Sequence, residues 1–229
     1  MCGRYTLTNP DDIAARFGLG ALSETGSDIH PRFNMSPSQA VPVIRHHDGD
    51  TALELMRWGF QPHWMKGGGK RPPPINARAE TLMERPMFKG AANKGRCLIP
   101  ADGFYEWKVV PGQKTKQPMY IHLKDGGLYA FAGIWTWGGD EVGPTCAIIT
   151  CALNELVETI HDRMPVILTE HGERLWMDAE APTDEALSVL TSYPADLMEA
   201  YAVSTAVNAP KRDAAELITP VSITSPAGC

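Results

Sequence analysis

The 229-residue chain contains no Cys-x-x-Cys pair, and its five cysteines (Cys2, Cys97, Cys146, Cys151, Cys229) are odd in number and scattered. That spacing argues against zinc frameworks and a disulfide scaffold alike. No metal and no cofactor is therefore expected, and in a reducing compartment Cys2 stays a free thiol. No apolar run approaches the roughly 20 residues that a membrane span requires. The N-terminus lacks the apolar centre of a signal peptide and places Arg4 and two aspartates early instead, which predicts no export. The expected compartment is the cytoplasm, beside the nucleoid, in a bacterium, or the nucleus in a eukaryote. No repeat or low-complexity tract interrupts the chain, no linker marks a boundary, and no βαβ rhythm announces a doubly wound parallel sheet. Nothing indicates oligomerisation, so a monomer is expected.

What is present reads as one globular domain over residues 1–229. The chain is 43% hydrophobic and 21% charged, enough apolar material for a substantial core at this length. Thr8-Asn9-Pro10-Asp11-Asp12 is a helix start, with a capping side chain, a proline and two acids on the positive end of the dipole. That helix, 11–17, should stop at Gly18. Strands are expected at 40–45 and 52–58 about a turn at Asp48-Gly49-Asp50, then at 96–100 and 103–110. In the latter, Phe104 and Glu106 share one face, Tyr105 and Trp107 the other. Residues 77–84 look helical, with Asn76 at the entrance. Segments 119–124 and 128–137 read as a hairpin about Asp125-Gly126-Gly127. Further strands are expected at 145–151, 165–168 and 201–207, and helices at 153–160, 170–178 and 183–192. Many short strands with short peripheral helices define an α+β fold around a mixed or antiparallel, partly closed sheet.

The net charge of −6 conceals an uneven distribution. Between Arg57 and Arg96 there are nine cations and two anions, whereas from Glu170 onward ten anions face three cations. A local basic face is what a polyanion needs, and global charge matters less. Trp58, Trp64 and Trp107 lie in or beside this region, where aromatics can stack on bases or simply fill a core.

Cys2 follows the initiator methionine. Once Met1 is removed, one residue carries both an α-amine and a thiol, groups whose reference pKa values of about 7.7–8.0 and 8.5 leave each partly deprotonated near neutrality. Such a 1,2-aminothiol condenses with an aldehyde, first as a Schiff base and then as a thiazolidine. Alternatively, its sulfur attacks an acyl carbon with the amine as base. Three further polar residues stand out. Asn76 could cap a helix or orient a terminal amine. Glu106 sits in a strand so apolar that burial should lift its carboxyl towards the range useful for proton transfer. His161 closes an apolar helical run beside a turn.

Seven segments then appear in order: Met1-Cys2-Gly3-Arg4-Tyr5, Arg32-Phe33-Asn34 with Pro37, Arg57-Trp58-Gly59-Phe60 with Pro62 and Trp64, Ile75 to Thr81, Arg96 to Pro100, Gly103 to Trp107, and His161 to Pro165. Together they closely resemble the SRAP (SOS-response-associated peptidase) family, from residue 1 to about 210. The resemblance implies a single α+β domain around a β-barrel-like sheet. It also implies a basic groove for single-stranded DNA, with abasic sites as partners and a covalent crosslink as product. It further implies that Cys2 is the nucleophile and that Glu106 and His161 form the acid–base pair. Asn76 would hold Cys2 and the intermediate, Arg4, Arg78 and Arg163 would clamp phosphates, and Trp58 would pack or stack beside the lesion. The peptidase of the family name would be removal of Met1. Phe60, where an aliphatic residue is usual, is the one departure. Two other classes remain open. An N-terminal-nucleophile glutamine amidotransferase would release ammonia from glutamine, although the Arg-Gly-Pro-Asp signature is missing. A plain single-strand-binding module would not need Cys2.

Overall fold

Thirteen strands and five short helices are found among residues 2–20, 29–47, 50–65 and 72–222, which the computed structural model describes. In chain order the strands are β1 (Tyr5–Leu7), β2 (Arg32–Met35), β3 (Ala40–His47), β4 (Asp50–Trp58), β5 (Asn76–Arg78), β6 (Arg96–Ala101) and β7 (Gly103–Lys108). There follow β8 (Gln117–Leu123), β9 (Tyr129–Trp137), β10 (Pro144–Cys151), β11 (Met164–Pro165), β12 (Ile167–Leu168) and β13 (Met198–Ala202). The helices are α1 (Ile13–Arg16), α2 (Pro86–Lys94), α3 (Glu155–Glu158), α4 (Glu170–Met177) and α5 (Thr183–Ser188).

The larger sheet closes on itself. β3 pairs with β4 and β6, β6 with β9, β9 with β10, and β10 returns to β4. Within that ring only the β10–β4 junction is parallel, and β5 continues it along β10. β10 is buried along nearly its whole length. This accounts for its unbroken apolar run, because a strand covered on both faces has no reason to alternate. Close packing inside the ring depends on Gly133 of β9, where an added Cβ would stand 2.9 Å from both Cys97 Sγ and Ile99 Cδ1. The second sheet runs β13–β8–β7–β1–β2 and carries the N-terminal strand in its interior. β7 separates two clusters, with Phe104 in the main core and Tyr105 and Trp107 in a smaller one with Tyr120, Val203, Val207 and Leu217. The result is the α+β domain with a barrel-like mixed sheet and peripheral helices read from the sequence.

Local signals place the helix ends. Asn154 Oδ1 accepts the Val157 N–H at 3.0 Å and Thr169 Oγ1 accepts the Gly172 N–H at 3.1 Å, capping α3 and α4. The first helical segment is a 3-10 turn at Pro10–Asp12 running into α1, without a side-chain cap from Asn9. It ends before Gly18, whose φ of +62° suits glycine.

Four expectations are corrected. The segments 119–124 and 128–137 do not form a hairpin: β8 pairs with β7 and β13, while β9 belongs to the closed ring. The turn at Asp125–Gly127 therefore passes the chain from one sheet to the other. Residues 77–84 are not a helix. Asn76–Arg78 add to the edge of β10, and only a 3-10 turn, Ala79–Thr81, follows, so Asn76 caps nothing. The last strand is Met198–Ala202 and gives way to a 3-10 turn at Thr205–Asn208. The helix expected at 153–160 shortens to α3. The turn residues 48 and 49 and loop residues 66–71 lie outside the described residues, although the strands flanking the former pair as expected.

Candidate active site

The N-terminus is held inside the second sheet, between β2 and β7. Tyr5 pairs with Phe104 and Thr6 with Gly103 in antiparallel register, and the Tyr105 N–H donates to the Arg4 carbonyl at 3.0 Å. Cys2 precedes this strand by three residues, and its thiol feels the charge of Glu106 on β7. Cys2 has no exposed surface and Glu106 has 1%. A terminus that would ordinarily fray is here part of the core.

Burial raises the Glu106 carboxyl above its ordinary value, opposed by the positive charge at the chain's amino terminus and by His161. The Cys2 thiol is pushed well up, chiefly by burial and then by the negative charge of Glu106. The two are therefore electrostatic neighbours. His161 Nε2 lies 3.6 Å from Glu106 Oε2, and its Nδ1 lies 2.7 Å from Asp162 Oδ1. The Arg163 N–H also points at Nδ1, at 3.3 Å, and the two Nδ1 contacts demand opposite protonation. The shorter contact, to a carboxylate, sets the assignment: Nδ1 donates to Asp162 and Nε2 faces Glu106. A raised carboxyl opposite an imidazole is a pair able to pass a proton.

The second group forms along β5, β10 and β11. Asn76 lies opposite Ile148 and Arg78 opposite Thr150. Asn76 Nδ2 reaches the Ile148 carbonyl only at 3.5 Å, and its Oδ1 is buried without a hydrogen-bond partner among the described residues. An amide oxygen left over in this way is available to an amine or hydroxyl. Arg163 donates to the Thr150 carbonyl at 2.7 Å, to Thr150 Oγ1 at 3.2 Å and to Glu80 Oε2 at 2.7 Å. It thus binds the turn that carries His161 to β10. Arg78 is exposed, and Arg57, opposite Thr145 on the same side of β10, is exposed too. Near Asn76 a recess of about 370 Å³ is lined by Pro37, Ser38, Arg57, Gly59 and Pro73, among others.

Two of the expected DNA-contacting side chains have partners inside the protein. Trp58 has no exposed surface, and its Nε1 donates to the Ile75 carbonyl at 2.9 Å. Its ring meets Tyr5 edge-on with centroids 5.4 Å apart, so it supports β1 and β5 from within and offers no face to a base. Arg4 commits Nη1 to Asn34 Oδ1 at 3.0 Å and to the Val207 carbonyl at 2.8 Å, so part of its guanidinium is engaged within the fold. Asn34 was visible only as part of a motif. In the structure it joins β2 to the C-terminal segment, its Nδ2 directed at the carbonyls of Val207, Ala209 and Arg212. A polar residue between Phe33 and Met35 was the available signal. Glu80 and Thr150 had none, because their importance comes from where Arg163 lands.

A larger recess of about 460 Å³ lies between α1 and α4, lined by Arg16, His46, Glu173 and Arg174 among others. It contains none of Cys2, Asn76, Glu106 or His161, and volume is a poorer guide to chemistry here than the unusual placement of a buried acid. Among the described residues no group of three or more His, Cys, Asp or Glu side chains could hold a metal ion.

The chain belongs to the SRAP family, SOS response associated peptidase, whose model matches residues 1–210. It is 46% identical over 223 residues to the abasic site processing protein YoqW of Bacillus subtilis (strain 168), covering 95% of this chain and 99% of that one. It is 34% identical over 229 residues to the abasic site processing protein YedK of Escherichia coli (strain K12), covering 96% and 100%. A crystal structure of a protein from Bacteroides thetaiotaomicron matches the fold with a TM-score of 0.83 at 26% identity, covering 96% and 100% of the two chains.

Proposed function

We propose that this protein processes abasic sites in single-stranded DNA by crosslinking to them through Cys2. The observation that carries the reading is the placement of Cys2, buried just ahead of the N-terminal strand, beside a buried Glu106 that faces His161 at 3.6 Å. The relatives named as abasic site processing proteins support the substrate class.

After removal of Met1, the Cys2 amine adds to C1′ of the ring-opened deoxyribose. The carbinolamine loses water to an imine, and the Cys2 sulfur adds to the same carbon to close a thiazolidine. One C–N and one C–S bond form and one water leaves. The amine leads because it is nucleophilic once deprotonated, whereas burial keeps the thiol protonated. Glu106 takes the proton from the terminal ammonium, freeing the amine to attack, and returns one to the departing hydroxyl. His161 Nε2, after taking a proton from Glu106, passes it to the ring oxygen as the sugar opens. Asn76 Oδ1 accepts from the amine or the carbinolamine hydroxyl. Arg57 and Arg78 hold phosphates, and Arg163 joins them where a phosphate displaces Glu80. An abasic nucleotide has no base to unstack, so bringing it to the strand is cheap. An imine at C1′ also acidifies C2′, so 3′ β-elimination is a side reaction that ring closure suppresses.

The test is the intact mass of Met1-free protein mixed with a uracil-containing oligonucleotide treated with uracil glycosylase. The expected product is protein plus oligonucleotide minus one water, stable to heat without borohydride and absent for Cys2→Ala. That variant should still bind the oligonucleotide within about threefold, because phosphate contacts supply most of the affinity. No adduct from the wild-type chain would overturn the proposal, and ammonia release from glutamine would point to the amidotransferase class.

A further inference from the structure

Asp102 lies at the corner between β6 and β7, is 5% exposed, and spends its backbone and side chain on the N-terminal strand. Its N–H donates to the Thr6 carbonyl at 3.1 Å. Its Oδ1 accepts Thr6 Oγ–H at 2.5 Å. Its Oδ2 accepts the Thr8 N–H, and Thr8 Oγ–H at 2.7 Å. Thr6 has given its only proton to the carboxylate, so at 3.0 Å the Tyr120 hydroxyl donates to Thr6 Oγ. Tyr120 is on β8, so one carboxylate ties β1 through a hydroxyl chain to the far side of β7. The closeness of this packing requires Gly103, where a Cβ would stand 2.1 Å from the Tyr120 hydroxyl.

The consequence follows from strand geometry. β1 has three residues, and Cys2 precedes them at the free end of the chain. Successive side chains on a strand point to opposite faces about 3.3 Å apart, so a slip of one residue displaces every group and reverses its face. Ladder bonds alone do not choose the register of so short a strand. A buried carboxylate that accepts from Thr6 and Thr8 does, since any slip leaves it facing backbone or an apolar side chain with its charge uncompensated.

We infer that Asp102 is a positioning residue for the nucleophile: it locks β1 in register against β7, so that the Cys2 amine stands beside Glu106. The inference rests on the roles given to Cys2 and Glu106 above. It adds a residue that never touches DNA and that decides whether those two groups meet.

The test uses Asp102→Asn and the milder Thr6→Val, which removes the hydroxyl link and leaves the carboxylate. Affinity for an oligonucleotide carrying a tetrahydrofuran abasic analogue, which has no aldehyde, should stay within about twofold of wild type, because the phosphate contacts are elsewhere. The single-turnover crosslinking rate should fall about 10–100-fold, the scale of a lost near-attack geometry. In a Glu106→Gln background the same substitution should cost about twofold or less, since there is no longer an acid–base group to be aligned with. A general structural weakening would slow both backgrounds equally, and that result would overturn the inference. The register itself is read by N-ethylmaleimide alkylation of Cys2 followed by peptide mass analysis. Asp102→Asn should accelerate labelling of Cys2 at least about fivefold, with buried Cys97 unchanged, because local opening of β1 exposes only its own groups. Unchanged Cys2 labelling in both variants would sink the inference even if the crosslink itself were never observed. A missing wild-type adduct beside accelerated labelling would instead fault the proposed reaction and leave the clamp standing.

Discussion

Two buried glutamates serve this protein in opposite ways. Glu173 on α4 is 6% exposed and Glu106 on β7 is 1% exposed, and burial raises the carboxyl of each. Glu173 is met by Arg16 through two parallel bonds, Nη1 to Oε2 at 3.0 Å and Nη2 to Oε1 at 2.8 Å. A guanidinium never deprotonates in this range and fits a carboxylate as a fork, so Glu173 holds α1 to α4 through a cation that keeps its charge. Glu106 is met by an imidazole at 3.6 Å and by the charge of the chain terminus, and neither of those partners is a permanent cation. The same side chain at similar depth is a strut beside a permanent cation and, in the proposed reaction, a proton carrier beside groups that can lose their charge.

The largest effect expected from breaking this contrast is on rate. Glu106→Gln should slow single-turnover crosslinking by about 10²–10⁴-fold, the usual contribution of a positioned acid–base group, with little change in binding to the tetrahydrofuran oligonucleotide. Next is a loss of stability without a loss of chemistry. Glu173→Gln strands most of the Arg16 charge and should cost about 3 kcal/mol in urea unfolding, while the folded fraction crosslinks at the wild-type rate. A slowed rate in that variant would mean that the two carboxylates are coupled.

The contrast also has a sign in pH. A carboxyl whose folded pKa is raised binds more protons folded than unfolded, so its stabilising state is the protonated one. Its contribution is present below the unfolded carboxyl pKa and is lost as pH rises through the folded value. Glu106→Gln should therefore melt at a higher temperature than wild type at pH 7.5, and the advantage should disappear as pH falls towards 4, a comparison thermal unfolding can make directly. A variant that is more stable and less active is the signature of a strained site. The smallest effect concerns a cation outside both pairs. Arg78→Ala should weaken single-strand binding only a few-fold and reduce the slope of log affinity against log salt by about one.

The sequence reading succeeded where the governing physics is local. Glu106 could be singled out because a charge in Gly103-Phe104-Tyr105-Glu106-Trp107 has no apolar reason to be there, and the face assignment along that strand agrees with the two clusters it separates. The stop at Gly18 and the helix start at Glu170 were legible for the same reason, since caps and left-handed stops are decided within four residues. Asn76 shows where such reasoning stops. Asn followed by Ala-Arg-Ala-Glu has the composition of a capped helix, and the edge of β10 recruited it into a strand instead, because the backbone groups of a buried edge must be paired.

The five amino-terminal residues, the order of the seven segments and the uneven charge were determined by the chain alone. They single out Cys2 as the candidate nucleophile, Glu106 as its candidate acid and a polyanion as the candidate partner, because chemistry belongs to residue types. Tertiary structure alone decided that β8 turns away from β9, that Trp58 is core, that Arg163 is braced by Glu80 and Thr150, and that Asp102 grips β1. Each of those is a partnership between residues far apart in sequence, selected by which faces can be buried together and which buried charges can be satisfied. Neither condition is written in any one segment.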